Sequence, residues 1–265
     1  MPTTEFSFKE LSKCLGKKYK PEEIRDRISM MGVDVERLDD EKIVMEIFPN
    51  RPDMLGVEGF ARALKGVMEL EDGLAPYKVS DSAYKLFVDK ASVKDVRPYI
   101  AAAVIKGVTI TDDMLVALMN IQEKLHITHG RNRRKVAIGV HDMAKLTPPF
   151  GYRAATPESV SFVPLDMTEK MNLKEILENH PKGKAYAGIL KDAKKYPLVL
   201  DSKENVLSMP PIINGELTRV NLKTKDLFID ITGTDRKAVD QALAIVVTSI
   251  LDRCGKAYYV EITEK

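Results

Sequence analysis

Residues 206–216 read VLSMPPIINGE, an apolar run with two adjacent prolines at its centre. Proline fixes φ and has no backbone N–H, so it has no place in the interior ladder of a sheet. A strand that carries Val206 to Ser208 must therefore leave its sheet at Pro210 and Pro211, and Asn214, Gly215 and Glu216 follow at once. This restricts the chain to folds in which a buried strand stops abruptly. On these residues alone the exit is either a structural corner or the rim of a pocket.

The rest of the chain predicts an α+β fold in two parts. A small mixed N-terminal domain, 1–84, is built from the helical stretches FSFKELSKCLG and KPEEIRDRISMMG, two strands in VDVERLDDEKIVMEIF, and the helix GVEGFARALKGVMEL. Pro21 at a first turn, Gly32 past a last turn and the spacing of Val57, Phe60, Ala61, Leu64 and Val67 support these helices. Residues 72–84, DGLAPYKVSDSAY, replace periodicity with glycine, proline and small polar residues and mark the boundary. A larger α+β domain, 85–265, is expected to hold a mixed or antiparallel sheet with flanking helices. Its strands are LFVDK, YIAAAVIKGVTI, KVAIGVHD, YPLVLD, NVLSM and DLFIDIT; its helices are TDDMLVALMNIQEKLH, NLKEILENH, KAYAGILKDA and a last one from Asp235 to Gly255.

Charge bears on function only through its distribution, because the net charge is +2. In KLHITHGRNRRK, 124–135, five of twelve residues are Lys or Arg, and no carboxylate occurs from Lys124 until Asp142. Arg131, Arg133, Arg134 and Lys135 therefore form either a loop that contacts nucleic-acid phosphates or an ordinary solvated turn. The two cysteines, Cys14 and Cys254, cannot build a disulfide framework or a zinc site and fit a reducing cytoplasm. No apolar run reaches the length of a membrane span, so no membrane association is expected.

In a strand alternate side chains share a face, so DLFIDITGTD sends Leu227, Ile229 and Ile231 one way and Phe228, Asp230 and Thr232 the other. The same rule puts Val206 and Ser208 on one face of NVLSM. If the two strands are neighbours, Ser208, Asp230 and Thr232 converge near Asn214, Gly215 and Glu216; otherwise Asp230 caps or pairs with a base. The four histidines lack metal-site spacing, and capping or surface roles are expected for His126, His129, His141 and His180. No phosphate-binding glycine loop or nucleophile elbow is present.

Five segments taken together, NRPDMLGVEGFARAL, GRNRRKVAIGVHD, FVPLD, YPLVLDSKENVLSMPPIINGE and TKDLFIDITGTD, resemble in order the N-terminal part of the beta subunit of archaeal and eukaryotic-type phenylalanyl-tRNA synthetase. The resemblance implies a domain that hydrolyses tyrosine wrongly joined to the phenylalanine tRNA, with tRNA(Phe) as partner. Its pocket-lining positions fall on Val199, Ser208, Asp230 and Thr232, with valine at 199 where well-matched relatives carry leucine. The basic loop matches a segment expected near tRNA, and the NRPD stretch belongs to a structural unit. The family's later domains, which bind the alpha subunit, have no counterpart in these residues, and the chain is expected to be monomeric when isolated.

The chemistry implied is ester hydrolysis without metal or cofactor. Asp230 is the expected acceptor for the tyrosine hydroxyl, with Glu216 second and Phe228 beside it. Ser208 and Thr232 would hold substrate or water, and the backbone amides around Asn214 and Gly215 would receive the oxyanion. A tRNA-binding module without activity and a subunit scaffold are the competing readings.

Overall fold

The computed structural model describes residues 2–264. Its N-terminal elements are β1 (Thr3–Ser7), α1 (Phe8–Leu15), α2 (Pro21–Ser29), β2 (Asp34–Leu38), β3 (Lys42–Glu46) and α3 (Val57–Val67). The three strands form one antiparallel sheet in the order β1-β3-β2. Strand β1 lies where the sequence suggests the start of a helix; Phe6 is buried from the strand, and the helix begins at Phe8. Helix α2 opens on Pro21, and α1 closes on Gly16 in the left-handed conformation, φ 77°.

Two sheets follow. The strands are β4 (Val79–Ser80), β5 (Lys85–Val88), β6 (Tyr99–Lys106), β7 (Val136–Asp142), β8 (Phe150–Ala155), β9 (Ser161–Phe162), β10 (Met171–Asn172), β11 (Tyr196–Leu200), β12 (Val206–Met209), β13 (Ile213–Asn214), β14 (Asp226–Gly233), β15 (Lys256–Tyr259) and β16 (Glu261–Glu264). The helices are α4 (Lys90–Val93), α5 (Asp112–Ile127), α6 (Leu173–Asn179), α7 (Pro181–Tyr186) and α8 (Arg236–Leu251). A five-stranded sheet runs β4-β15-β6-β14-β7 and a six-stranded sheet runs β13-β12-β11-β8-β5-β16.

Alternation along the strands stacks these into layers. Ala101, Ala103, Ile105, Leu227, Ile229 and Ile231 pack with α5, α8 and the N-terminal helices in one continuous core. Ile100, Ala102, Val104 and Phe228, on the opposite face, pack against Leu86, Val88, Phe150, Tyr152, Val199 and Leu207 of the six-stranded sheet. The outer face of that sheet, with Leu198, Leu200, Val206 and Met209, is covered by Leu173, Ile176 and Leu177 of α6. The order is helices, sheet, sheet, helices. Residues 68–78 carry no helix or strand, while the core of the N-terminal helices runs on into α5 and α8.

Two expectations from the sequence are corrected here. Strand β14 is hydrogen-bonded on both sides, to β6 and to β7, and has no free edge to offer β12. The strand of Ser208 and the strand of Asp230 are therefore not neighbours but belong to facing sheets. Val206 and Ser208 do not share a face either. A register shift opposite Val199 and Leu200 breaks the alternation, so Val206 joins the core under α6 while Ser208, paired with Val199, turns toward the other sheet. Strands β8, β15 and β16 went unread in the sequence; β16 is largely exposed and shows no alternation that would betray it.

The prolines form the tip of a hairpin. Ser208 pairs with Asn214 and Met209 with Ile213, and the N–H of Ile212 donates to Met209 O at 2.8 Å. Among the described residues no helix is long and apolar enough to cross a membrane.

Candidate active site

A cavity of about 360 Å³ opens where the two sheets meet the free edge of β7. Its walls come from α5 (Leu118, Glu123, His126), β7 (Ala137–Val140), the hairpin tip (Pro210, Pro211) and residues 218–220, and Ser208, Asn214, Asp230 and Thr232 all line it. The volume sits at the low end of the roughly 300–1,000 Å³ common for small-molecule sites. Corner and rim prove to be one feature, since the prolines that end β12 also wall the cavity.

Asp230 is 1% exposed, and its Oδ1 lies 2.7 Å from His141 Nε2. His141 Nδ1 lies 2.8 Å from Thr218 Oγ1, which in turn is 3.1 Å from Gly215 O. Among the described residues no donor reaches the other carboxylate oxygen of Asp230, which is left to the cavity. This close packing requires Gly139, which stands opposite Asp230 across the β14–β7 ladder. A Cβ there would sit 2.4 Å from Asp230 Oδ1 and 2.6 Å from His141 Nε2. Ser208 Oγ is buried without a protein hydrogen-bond partner, so its hydroxyl is free for a ligand atom.

The N–H of Arg97 Nε donates to Thr232 Oγ1 at 2.9 Å, and Nη2 donates to Thr232 O at 2.8 Å. Burial pushes the Arg97 guanidinium down to about 10, partly offset by Tyr152 and Asp230, so it stays charged at neutral pH. His126 accepts the N–H of Ile138 on Nε2 at 2.8 Å and so covers the edge of β7. Its own burial holds that imidazole down to about 4.

A B3/4-domain family model matches residues 97–248. The phenylalanine–tRNA ligase beta subunit of Methanococcoides burtonii is 47% identical over 262 residues, 99% of this chain and 48% of the relative. That of Methanocaldococcus jannaschii is 46% identical over 267 residues, 99% of this chain and 48% of the relative. The crystal structure of an N-terminal fragment of the phenylalanyl-tRNA synthetase beta subunit from Pyrococcus horikoshii superposes with a TM-score of 0.93 at 39% identity, covering 100% of this chain and 77% of that one. The chain belongs to the phenylalanyl-tRNA synthetase beta-subunit family. It spans about half the length of the curated relatives named above.

Not every residue singled out in this family member's sequence reaches the cavity. Val199 and Phe228 are fully buried one layer behind it, Phe228 stacked on Phe150 at 4.0 Å between ring centroids. Glu216 turns outward, where it pairs with Arg219 at 2.7 Å and accepts the N–H of Asp166 at 3.0 Å. The amides meant for an oxyanion are already engaged: the N–H of Gly215 donates to Leu207 O at 2.7 Å, and that of Glu216 to Val163 O at 2.8 Å. Gly215 is needed for packing, because a Cβ would stand 2.7 Å from Val206 O.

The basic loop divides in two. Arg131, Asn132 and Arg133 take left-handed φ values of 49°, 52° and 67° in succession, which swings Arg133 inward. Its Nη1 donates to Ile212 O at 3.1 Å, its Nη2 pairs with Glu123 at 3.3 Å, and its guanidinium lies 4.5 Å from the Tyr186 ring centre. Lys135 pairs with Asp235 at 3.3 Å, whereas Arg131 and Arg134 are exposed.

His141, Thr218 and Arg97 are the site residues that sequence reasoning missed. His141 is fully buried rather than at the surface. The one signal for it was Gly139 inside a strand of β-branched residues, a mark of close approach.

Proposed function

We propose that this cavity is an editing site that hydrolyses the ester of tyrosine misattached to tRNA(Phe). The observation that carries the reading is the buried Asp230 carboxylate, held by His141 on one oxygen and open to the cavity on the other. Tyrosine exceeds phenylalanine by one hydroxyl, and an apolar pocket rejects an added hydroxyl by only about a hundredfold. A pocket whose own polar group needs that hydroxyl discriminates by about 10⁴ or more, because phenylalanine would leave the carboxylate unpaired. Asp230 accepts the phenolic O–H, and Leu118, Pro210 and Val140 supply apolar wall.

Water adds to the acyl carbon, the tetrahedral oxyanion collapses, and the bond to the ribose oxygen breaks. One water proton passes to that oxygen, and the product acid releases its own to solvent. Ser208 and Thr232 hold the ester and the attacking water, and Asn214 contributes its side-chain amide from the rim. Gly215 has no part in this scheme beyond shaping the rim, and Val199 and Phe228 set the depth of the pocket from behind. In the whole protein tRNA(Phe) brings the ester and the alpha subunit is bound by residues outside this chain.

Single-turnover deacylation with the chain alone tests this reading. Release of tyrosine from Tyr-tRNA(Phe) is expected to exceed release of phenylalanine from Phe-tRNA(Phe) by about 10⁴ or more. Equal rates, or rates no faster than spontaneous hydrolysis, would leave a tRNA-binding or scaffold role instead.

A further inference from the structure

Arg97 is a cation buried between two sheets, 1% exposed, and its side-chain hydrogen bonds all go to uncharged oxygens: Thr232 Oγ1, Thr232 O and Arg134 O. Burying a charge without a bonded counter-ion is costly, and a fork of this shape spent on one threonine calls for a reason. Its place is fixed from both sides. The N–H of Arg97 donates to Val93 O at 2.8 Å, and the Tyr152 hydroxyl donates to Arg97 O at 2.7 Å.

The consequence falls on Thr232. A threonine hydroxyl has one proton to give and two lone pairs to accept with. Arg97 Nε–H takes a lone pair, and among the described residues no protein oxygen or nitrogen accepts the Thr232 proton. Thr232 lines the cavity, so that proton is left for an acceptor bound there. A hydroxyl that accepts from a guanidinium is also a stronger donor, because the positive charge polarises it. The N–H groups of Gly215 and Glu216, given to Leu207 O and Val163 O, are not available to an oxyanion.

We propose that Arg97 is a positioning residue that turns Thr232 into a fixed, charge-assisted donor to the acyl oxygen of the bound ester, so that the pair serves as the oxyanion-binding element of the site. This rests on the editing reading above. The acyl oxygen gains negative charge as water adds to the acyl carbon and loses it when the bond to the ribose oxygen breaks. Thr232 bonds it throughout and no proton is transferred to Arg97. Thr232 touches the reacting atoms; Arg97 acts through it.

The test sets two ligands against each other by calorimetry on the intact chain. Tyrosinol has no charge at the acyl position, and the phosphonate analogue of tyrosine presents anionic tetrahedral oxygens there. Arg97→Lys and Thr232→Val, each confirmed folded by circular dichroism, are expected to weaken the phosphonate about ten- to a hundredfold and tyrosinol less than about twofold, with Thr232→Ser keeping both. In deacylation of Tyr-tRNA(Phe), Thr232→Val is expected to lower the maximal rate by about 10²–10³ with KM unchanged, and Arg97→Lys to add nothing in that background. If Thr232→Val does not fold, the ligand comparison on Arg97→Lys decides. Equal weakening of both ligands, or additive losses in the double variant, makes Arg97 merely structural and overturns the proposal. A parent chain that releases tyrosine normally while its variants show no ligand preference defeats this inference alone. A parent that binds neither ligand and hydrolyses nothing defeats the editing reading and this inference with it.

Discussion

Leu227, Ile229 and Ile231 leave β14 toward α8, while Phe228, Asp230 and Thr232 leave the same strand toward the second sheet. The first set sits in an apolar core shared with α5, α8 and the N-terminal helices. The second set holds two polar residues buried almost as completely as the first, which is 0% exposed throughout: 1% for Asp230 and 0% for Thr232. Burial is the same on both faces, so what separates them is hydrogen bonding. On one face side chains need only volume; on the other each polar atom needs a partner, and the Thr232 proton and one Asp230 oxygen are left without one, as is Ser208 Oγ on the facing strand. Those unmet bonds mark where a ligand belongs.

The comparison is broken most directly by exchanging what each face is asked to do. Asp230→Ala is expected to lower Tyr-tRNA(Phe) deacylation by about 10⁴ and so to erase the preference over Phe-tRNA(Phe). Asp230→Asn keeps the shape and separates lost charge from lost packing. A variant with parental rate and preference would place the hydroxyl acceptor elsewhere.

On the apolar face Ile229→Ala is expected to cost about 2–5 kcal/mol of stability, since Ile229 is fully buried. Urea unfolding measures it. Deacylation well below the melting temperature should stay within about twofold, because none of Leu227, Ile229 and Ile231 lines the cavity. A large fall in rate with stability intact would show that the two faces are coupled.

His126 sharpens the comparison at the edge of β7, where both faces end. Its folded-state value of about 4 lies below the roughly 6.5 of a free imidazole, so between these values the unfolded chain binds the extra proton. The contribution is present above about pH 6.5 and is lost as pH falls toward 4. Burial is the main cause; Glu123, 3.8 Å from Nδ1, opposes it, and Arg133 and Arg97 add to it. From pH 7 to pH 5 the parent should lose about 2 kcal/mol more than His126→Gln in urea unfolding. Parallel losses would mean that the imidazole is protonated as easily in the folded chain as outside it.

How much of this was legible in the sequence follows from the same contrast. Alternation in DLFIDIT assigned both faces of β14 correctly because that strand is regular over its whole length. It failed for Val206 and Ser208 because a bulge, which leaves no mark in composition, reverses the parity. Asp230 and Thr232 could be named from position, but their partners could not. His141 comes from a neighbouring strand and Arg97 from 135 residues away in sequence. The hairpin at Pro210 and Pro211 was readable from local backbone chemistry alone, whereas the assignment of β12 and β14 to facing sheets depends on which strands take the edges of β14.

The smallest effect is expected in the basic loop, which repeats the division of β14 in miniature. Arg133 is turned in and Lys135 is paired, so neither is free to meet a phosphate without first breaking contacts with Glu123, Ile212 O or Asp235. Arg131 and Arg134 are exposed, and the Arg134 carbonyl already holds Arg97, which fixes the loop without occupying the Arg134 side chain. If the loop meets tRNA, Arg131→Ala and Arg134→Ala should each weaken binding about two- to fivefold and lower the slope of log affinity against log salt by about 0.7–0.9. Filter binding over a salt series measures both quantities. Lys135→Ala should change the slope less than either, and Arg133→Ala should slow deacylation rather than change the slope, because it releases the hairpin tip that walls the cavity. A slope that falls with Arg133 and not with Arg131 or Arg134 would reverse the assignment of inner and outer arginines and put the tRNA backbone at the mouth of the cavity itself.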